Sequence, residues 1–206
     1  IRHLIGTYQE MVGEGLNVSL VMAGLPGAVS TTLNDKVLTF LNRARKVSLP
    51  PLEQGEVDAF FKRSFDSLGI AIESGLRRSA SAYTAGSPYL LQLVGHYTCL
   101  YAEDGKVSEE SLAEALRTSG DDFQSDVCAT TLAALSERDV DFLEAMAELG
   151  EPTSVAAVAE AMGATADYAQ KYRRRLIDGG VIKSAGRGKV AFDVPFLAEH
   201  LRRRNE

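Results

Sequence analysis

The stretch Thr165-Ala-Asp-Tyr-Ala-Gln-Lys-Tyr-Arg-Arg-Arg-Leu-Ile-Asp-Gly-Gly-Val-Ile-Lys-Ser-Ala-Gly-Arg-Gly-Lys-Val-Ala-Phe-Asp-Val194 decides how the chain is read. Thr165 is a good N-cap, and Ala169, Tyr172, Leu176 and Ile177 recur at helical spacing, which predicts an amphipathic helix facing inward with those residues. Gly179-Gly180 ends it and Val181-Ile182 turns into a strand. Ala185-Gly-Arg-Gly188 carries the chemistry of a hairpin turn, and Lys189 to Val194 returns as a second strand. Pro195 then opens a final helix. Just upstream, Ser136-Glu-Arg-Asp139 reads as a helix start, with Val140, Phe142, Leu143 and Met146 on the buried side and Gly150 as the stop. Thr153 or Ser154 caps a short helix ending at Met162-Gly163.

Three helices, a β-hairpin and a closing helix predict a winged helix-turn-helix over residues 131–206. If Ala169, Tyr172 and Leu176 face inward, then Tyr168, Gln170, Lys171, Arg174 and Arg175 face outward. Gln and Arg can read base edges, while Lys and Arg meet phosphates. Arg187 and Lys189 would sit at the wing tip, and Arg202-Arg-Arg204 adds a further basic cluster. These residues predict binding to double-stranded DNA. The same fold also serves for docking proteins, and a basic helix can be no more than a solvated face.

Charge supports a division of labour. The net charge is −6, but residues 1–164 hold 12 Lys/Arg against 23 Asp/Glu, whereas residues 165–206 hold 10 against 5. Hydrophobic residues at 45% and charged residues at 24% are ordinary globular usage. No apolar run approaches the roughly 18 residues of a membrane span. Cys99 and Cys128 lack the spacing of a disulfide framework or a zinc site. The chain opens at Ile1 with neither a basic n-region nor an apolar h-region, which predicts a cytoplasmic location and a piece of something longer.

Toward the N-terminus the pattern changes. Residues 1–14 place Leu4, Ile5, Tyr8, Met11 and Val12 on one side of a helix that Gly13 and Gly15 end. Val18 to Gly27 is almost wholly apolar and predicts a strand buried on both faces, stopped by Pro26-Gly27. A short helix around residues 31–41 and a short strand Lys46-Val-Ser-Leu49, stopped by Pro50-Pro51, would follow. These pieces fit the last part of an α/β sheet. Helical spacing then runs for about 80 residues. Residues 53–68 put Val57, Phe60, Phe61, Phe65 and Leu68 on one stripe; residues 71–84 make a second helix closed by Gly86. Ser87-Pro88 opens a third and Ser108-Glu-Glu-Ser111 a fourth. The fold class is therefore mainly α: a remnant of an α/β core over 1–52, a helical domain over 53–130 and the winged helix.

The sequence contains no G-x-x-x-x-G-K-[ST], no G-x-S-x-G and no H-E-x-x-H. His3, His96 and His200 are scattered, and Asp121-Asp122 is an isolated acidic pair, so no metal site and no autonomous active site is expected.

Val18 to Gly27, Phe40-Leu-Asn-Arg-Ala-Arg45 and Leu49-Pro-Pro-Leu52 together resemble the second half of an AAA+-type P-loop ATPase module, and Gly86-Ser-Pro88-Tyr-Leu-Leu-Gln-Leu-Val-Gly95 resembles its lid's sensor 2 helix. The order of core strand, lid and winged helix is similar to that of archaeal origin-binding initiators and of archaeal-type and STAND ATPases. The resemblance implies an arginine finger at Arg43, with Arg45 the weaker candidate, and nucleotide contact around Gly86, Pro88 and Tyr89. It also implies ATP with Mg in a longer parent whose Walker strands precede Ile1, no ATP held at normal affinity and at best very weak nucleotide binding by this chain alone, and self-association through the ATPase module. Two positions depart from the pattern: Ala23-Gly24 stands where sensor 1 is usually polar, and Tyr89 where sensor 2 is often Arg. Gly86-Ser-Pro88 is instead similar to the G-x-P of STAND ATPases, which implies a switch rather than a processive motor. The alternative from a different class is a freestanding winged-helix transcription regulator whose first 130 residues sense a ligand or dimerise.

Overall fold

A computed structural model of the chain describes residues 1–24, 39–45, 47 and 49–205. The fold is mainly helical with one small sheet. Helix α1 (Arg2–Gly13) is followed by a 3-10 turn (Thr39–Arg43) and then α2 (Gln54–Leu68), α3 (Ser74–Tyr83), α4 (Pro88–Leu100) and α5 (Glu109–Phe123). Helix α5 runs on through a π-helical turn (Gln124–Cys128) into α6 (Ala129–Ala133), and α7 spans Glu137–Leu149. Strand β1 (Thr153–Ser154), α8 (Val155–Ala161), α9 (Ala166–Asp178), β2 (Ile182–Ser184), β3 (Lys189–Phe192) and α10 (Leu197–Asn205) complete the order. Two compact units arise, one from residues 1–48 and 149–193, the other from residues 49–148 and 194–206. No helix among the described residues is long and apolar enough to cross a membrane.

The second unit is built on the faces of α2 and α4. Val57, Phe61 and Phe65 of α2 meet Ala80, Leu91, Val94, Val107 and Leu112 in one buried cluster. The Phe61 and Phe65 rings lie nearly parallel, 5.4 Å apart. Phe60 and Leu68, expected on the same stripe, point outward instead. For Phe60 the reason is angular: neighbouring residues on a helix are about 100° apart, so Phe60 and Phe61 cannot both face one core. Leu68 lies on the inward side by the same count and is exposed as the last residue of the helix. A bidentate ion pair from Arg77 to Asp58, at 2.9 and 3.1 Å, ties α3 to α2. The helix expected from residue 71 begins only at Ser74, because Ala71 pairs with the segment around Lys106 through backbone bonds to Gly105 and from Val107.

Local capping follows the sequence closely. The Ser87 hydroxyl accepts from the Leu90 amide with Pro88 in the first turn, and Ser108 and Ser111 form a reciprocal capping box opening α5. Helices α4 and α5 run antiparallel along a ladder of phenols and acceptors: Tyr89 donates to Asp126, Tyr97 donates to Asp122, and Tyr101 meets Thr118.

In the first unit, β3 lies between β1 and β2, antiparallel to both, with Ile182 opposite Phe192 and Thr153 opposite Val190. Ser154 caps α8 and Thr165 caps α9, whose Ala169, Tyr172 and Leu176 are buried. Val181, Ile182, Val190 and Phe192 supply the apolar side of the hairpin. Near the N-terminus, Ile5 and Leu41 form a small buried cluster with Leu20 and Phe40 partly covered.

The expected strand from Val18 departs from this picture. Residues 18–24 form no strand, and Val21 is 92% exposed. An apolar run becomes a buried strand only when neighbours supply ladder bonds on its edges, and no strand pairs with it among the described residues. Val47 and Leu49 are likewise exposed rather than paired. The end of the first run at Leu25–Gly27, residues 31–38 of the expected helix, and Lys46 and Ser48 lie outside the described residues.

Candidate functional site

The residues singled out in the sequence fall into two main groups. The first is on the second unit, where Gly86 takes φ 74°. Its carbonyl accepts the Leu52 amide at 2.9 Å, and a Cβ at position 86 would come within 2.5 Å of the Leu52 carbonyl oxygen and 2.8 Å of Pro51 Cβ. The glycine is therefore required twice over, for its dihedral and for the close approach of the Pro51-Leu52 segment. That approach brings Leu52 beside Pro88 at the start of α4. Both border an open groove of about 400 Å³ together with Glu56, Val57, Phe60, Arg63, Leu91 and Gln92. Its size is that of small-molecule sites, and its lining is mostly apolar with a few polar groups.

Tyr89 is not part of this groove. Its hydroxyl donates to the Asp126 carboxylate at 2.7 Å and its ring packs 6.0 Å from Phe123. The carboxylate accepting that hydrogen bond raises the phenol's pKa. Of the three expected nucleotide contacts, Pro88 borders the groove, Gly86 shapes it, and Tyr89 faces another neighbour. Glu56, Phe60 and Arg63 were missed as site residues; their i, i+4, i+7 spacing marks a second face of α2, which adjoins the Val57–Phe61–Phe65 face at Val57. Arg43 and Arg45 are exposed, Arg43 at the end of the 3-10 turn.

The second group lies on the outer face of α9 and at the hairpin tip. Tyr168, Gln170, Lys171, Arg174, Arg175, Arg187 and Lys189 are all exposed. Arg175 lies over the Tyr172 ring at 4.8 Å, and the Tyr172 hydroxyl donates to that of Tyr168 at 2.7 Å. Lys171, Arg174, Arg187 and Lys189 form no ion pair among the described residues, whereas Lys183 pairs with Asp193 at 3.2 Å. The first unit holds 12 Lys/Arg against 8 Asp/Glu and the second 10 against 20, so the positive balance belongs to the unit bearing α9.

The Arg202–Arg204 cluster is committed elsewhere. Arg202 Nε donates to the Ala147 carbonyl at 2.9 Å, Arg203 approaches Asp121 at 3.9 Å, and Arg204 pairs with Glu144 at 2.5 Å. These contacts hold α10 within the second unit, where half-buried Phe196 meets half-buried Tyr83 and buried Phe123. The histidines are dispersed, His96 standing edge-on to Tyr97. No group of three or more His, Cys, Asp or Glu that could hold a metal ion occurs among the described residues. Cys128 is fully buried and its thiol is pushed up to about 12 by desolvation.

Residues 125–201 match the model of a domain of unknown function, DUF8462. A comparison with curated protein sequences finds no significant match. Among solved structures, the chain is similar to the Walker-type ATPase PABY2304 of Pyrococcus abyssi, with a TM-score of 0.63 at 17% identity over 85% of this chain and 50% of that one. Matches to the Thermotoga maritima RuvB Holliday junction branch migration motor, at a TM-score of 0.34 and 19% identity over 75% of this chain and 50% of that one, are too distant to carry weight. The chain spans half the length of these structures, and its fold is like that of part of a Walker-type ATPase.

Proposed function

We propose that this chain is the regulatory half of an AAA+/STAND-type P-loop switch ATPase, joining a helical lid to a winged helix that binds double-stranded DNA. In this reading α2 to α5 form the lid, the groove beside Pro88 faces the nucleotide, and α9 is the recognition helix with β2–β3 as the wing. The fold likeness to a Walker-type ATPase supports the first part. The observation that carries the second is the set of four cations, Lys171, Arg174, Arg187 and Lys189, exposed on α9 and the hairpin without acidic partners among the described residues.

The groove chemistry fits the base and sugar of ATP, with apolar walls and polar ends. The chain contains no G-x-x-x-x-G-K-[ST], so a triphosphate and its Mg would be held chiefly by residues outside it. Bound ATP supplies a phosphoryl group for hydrolysis. In that assembly Pro88 borders the base, and Arg43 presents its guanidinium to a neighbouring subunit's nucleotide, where a planar cation stabilises charge on the transferring group. Self-association and a cytoplasmic location belong to the same reading.

Fluorescence anisotropy with a labelled duplex tests the DNA half. The chain should bind at low salt, and Lys171→Ala with Arg174→Ala should weaken binding while leaving the circular dichroism spectrum unchanged. Absence of binding at low salt overturns the reading. The exposed Tyr168 ring favours one second reading, in which the same face docks a protein.

A further inference from the structure

The groove beside Pro88 contains a cation that no motif announces. Arg63 borders it, is exposed, and has no ion-pair partner among the described residues. Glu56 borders the same groove seven residues earlier on α2, and seven residues of helix span about 10 Å. Between them stands Phe60, 39% exposed despite its size, with Leu52, Pro88 and Leu91 around it. The groove thus has an acceptor end, an apolar middle and a cationic end. A nucleotide has the complementary order: an amine-bearing base, an apolar-faced base and sugar, and phosphates, across a similar length. The position where a sensor arginine is expected holds Tyr89, which is turned to Asp126 and cannot serve the groove.

We propose that Arg63 is the phosphate-contacting residue of a nucleotide seated in this groove, with Glu56 at the base end and Phe60 packed against the base. The inference rests on the nucleotide-facing reading of the groove. A guanidinium suits the role because its planar fork matches phosphate oxygens.

Titration of this chain with adenosine and with ADP at millimolar concentrations, followed by heteronuclear NMR, tests it. Both should shift resonances of Phe60, Leu91 and Gln92, and ADP should bind about fivefold more tightly than adenosine, as one exposed charge-assisted contact implies. Arg63→Ala should abolish the advantage of ADP and leave adenosine unchanged, while Arg78→Ala, an exposed cation on α3 away from the groove, should change neither. If ADP keeps its advantage in Arg63→Ala, or loses it equally in Arg78→Ala, the assignment of Arg63 is overturned although the groove still binds nucleotide. If neither ligand shifts the groove in the unaltered chain, the nucleotide reading itself falls.

Discussion

If the basic residues bind duplex DNA as proposed, the salt dependence of that binding follows from a count that the structure narrows. Ten basic residues lie between 165 and 206, yet Lys183, Arg202, Arg203 and Arg204 are engaged with Asp193, Ala147, Asp121 and Glu144. Arg175 stacks on Tyr172. Arg173 Nε is buried. Four cations remain: Lys171, Arg174, Arg187 and Lys189. At about −0.9 per neutralised phosphate, log K against log salt should have a slope near −3.6, so affinity falls about 150-fold between about 50 and about 200 mM salt. Lys171→Ala with Arg174→Ala should reduce the slope to about −1.8 and the fall to about twelvefold. Arg204→Ala should leave the slope unchanged, because that guanidinium already meets Glu144. Anisotropy titrations of a labelled duplex across a salt series measure all three. A flat dependence, or an Arg204→Ala variant that flattens as much as the double variant, would refute the count.

Other outcomes follow from single features. Gly86→Ala must force an L residue to φ 74° against the Leu52 carbonyl, and should cost about 2–4 kcal/mol in urea unfolding. Asp58→Asn should cost about 1 kcal/mol at neutral pH. The Arg77 guanidinium holds the Asp58 carboxyl below its ordinary value, so the contribution is present above the unfolded value near about 3.9 and lost as pH falls through the lowered native one. Stability of the parent and of Asp58→Asn should therefore converge in acid; a gap that persists there contradicts the pairing. Cys128, buried and with its thiol pushed up to about 12, should resist alkylation at pH 8 until denaturant exposes it. Rapid labelling of that thiol in the native chain would show that α5 and α6 open readily.

What was legible in the sequence was chiefly local. Ser87-Pro88, Ser108 with Ser111, Ser154 and Thr165 each start a helix through a hydroxyl bonding an amide three residues on, chemistry contained in a four-residue window. The hairpin at Ala185–Gly188 and the inward face of α9 followed from turn chemistry and helical period for the same reason. Pairings across the chain were not legible. Arg204 reads as part of a basic cluster until Glu144, sixty residues away, is seen beside it. Val18 to Gly24 has the composition of a buried strand, but composition does not supply the neighbouring strand that would pair with it. The groove was missed because Phe60 adjoins Phe61 in sequence, which conceals that the two rings face different directions.

The ladder of phenols between α4 and α5 has an optical consequence. The chain has seven tyrosines and no tryptophan, so its intrinsic emission near 300 nm is tyrosine emission alone. Tyr89 and Tyr97 both donate to carboxylates. Such an acceptor takes up the phenol proton readily in the excited state and darkens the ring. These two residues should therefore be dim while the helices are joined and brighten when they part. The seam carries its own reporter, and its opening can be followed in the unlabelled, unsubstituted chain.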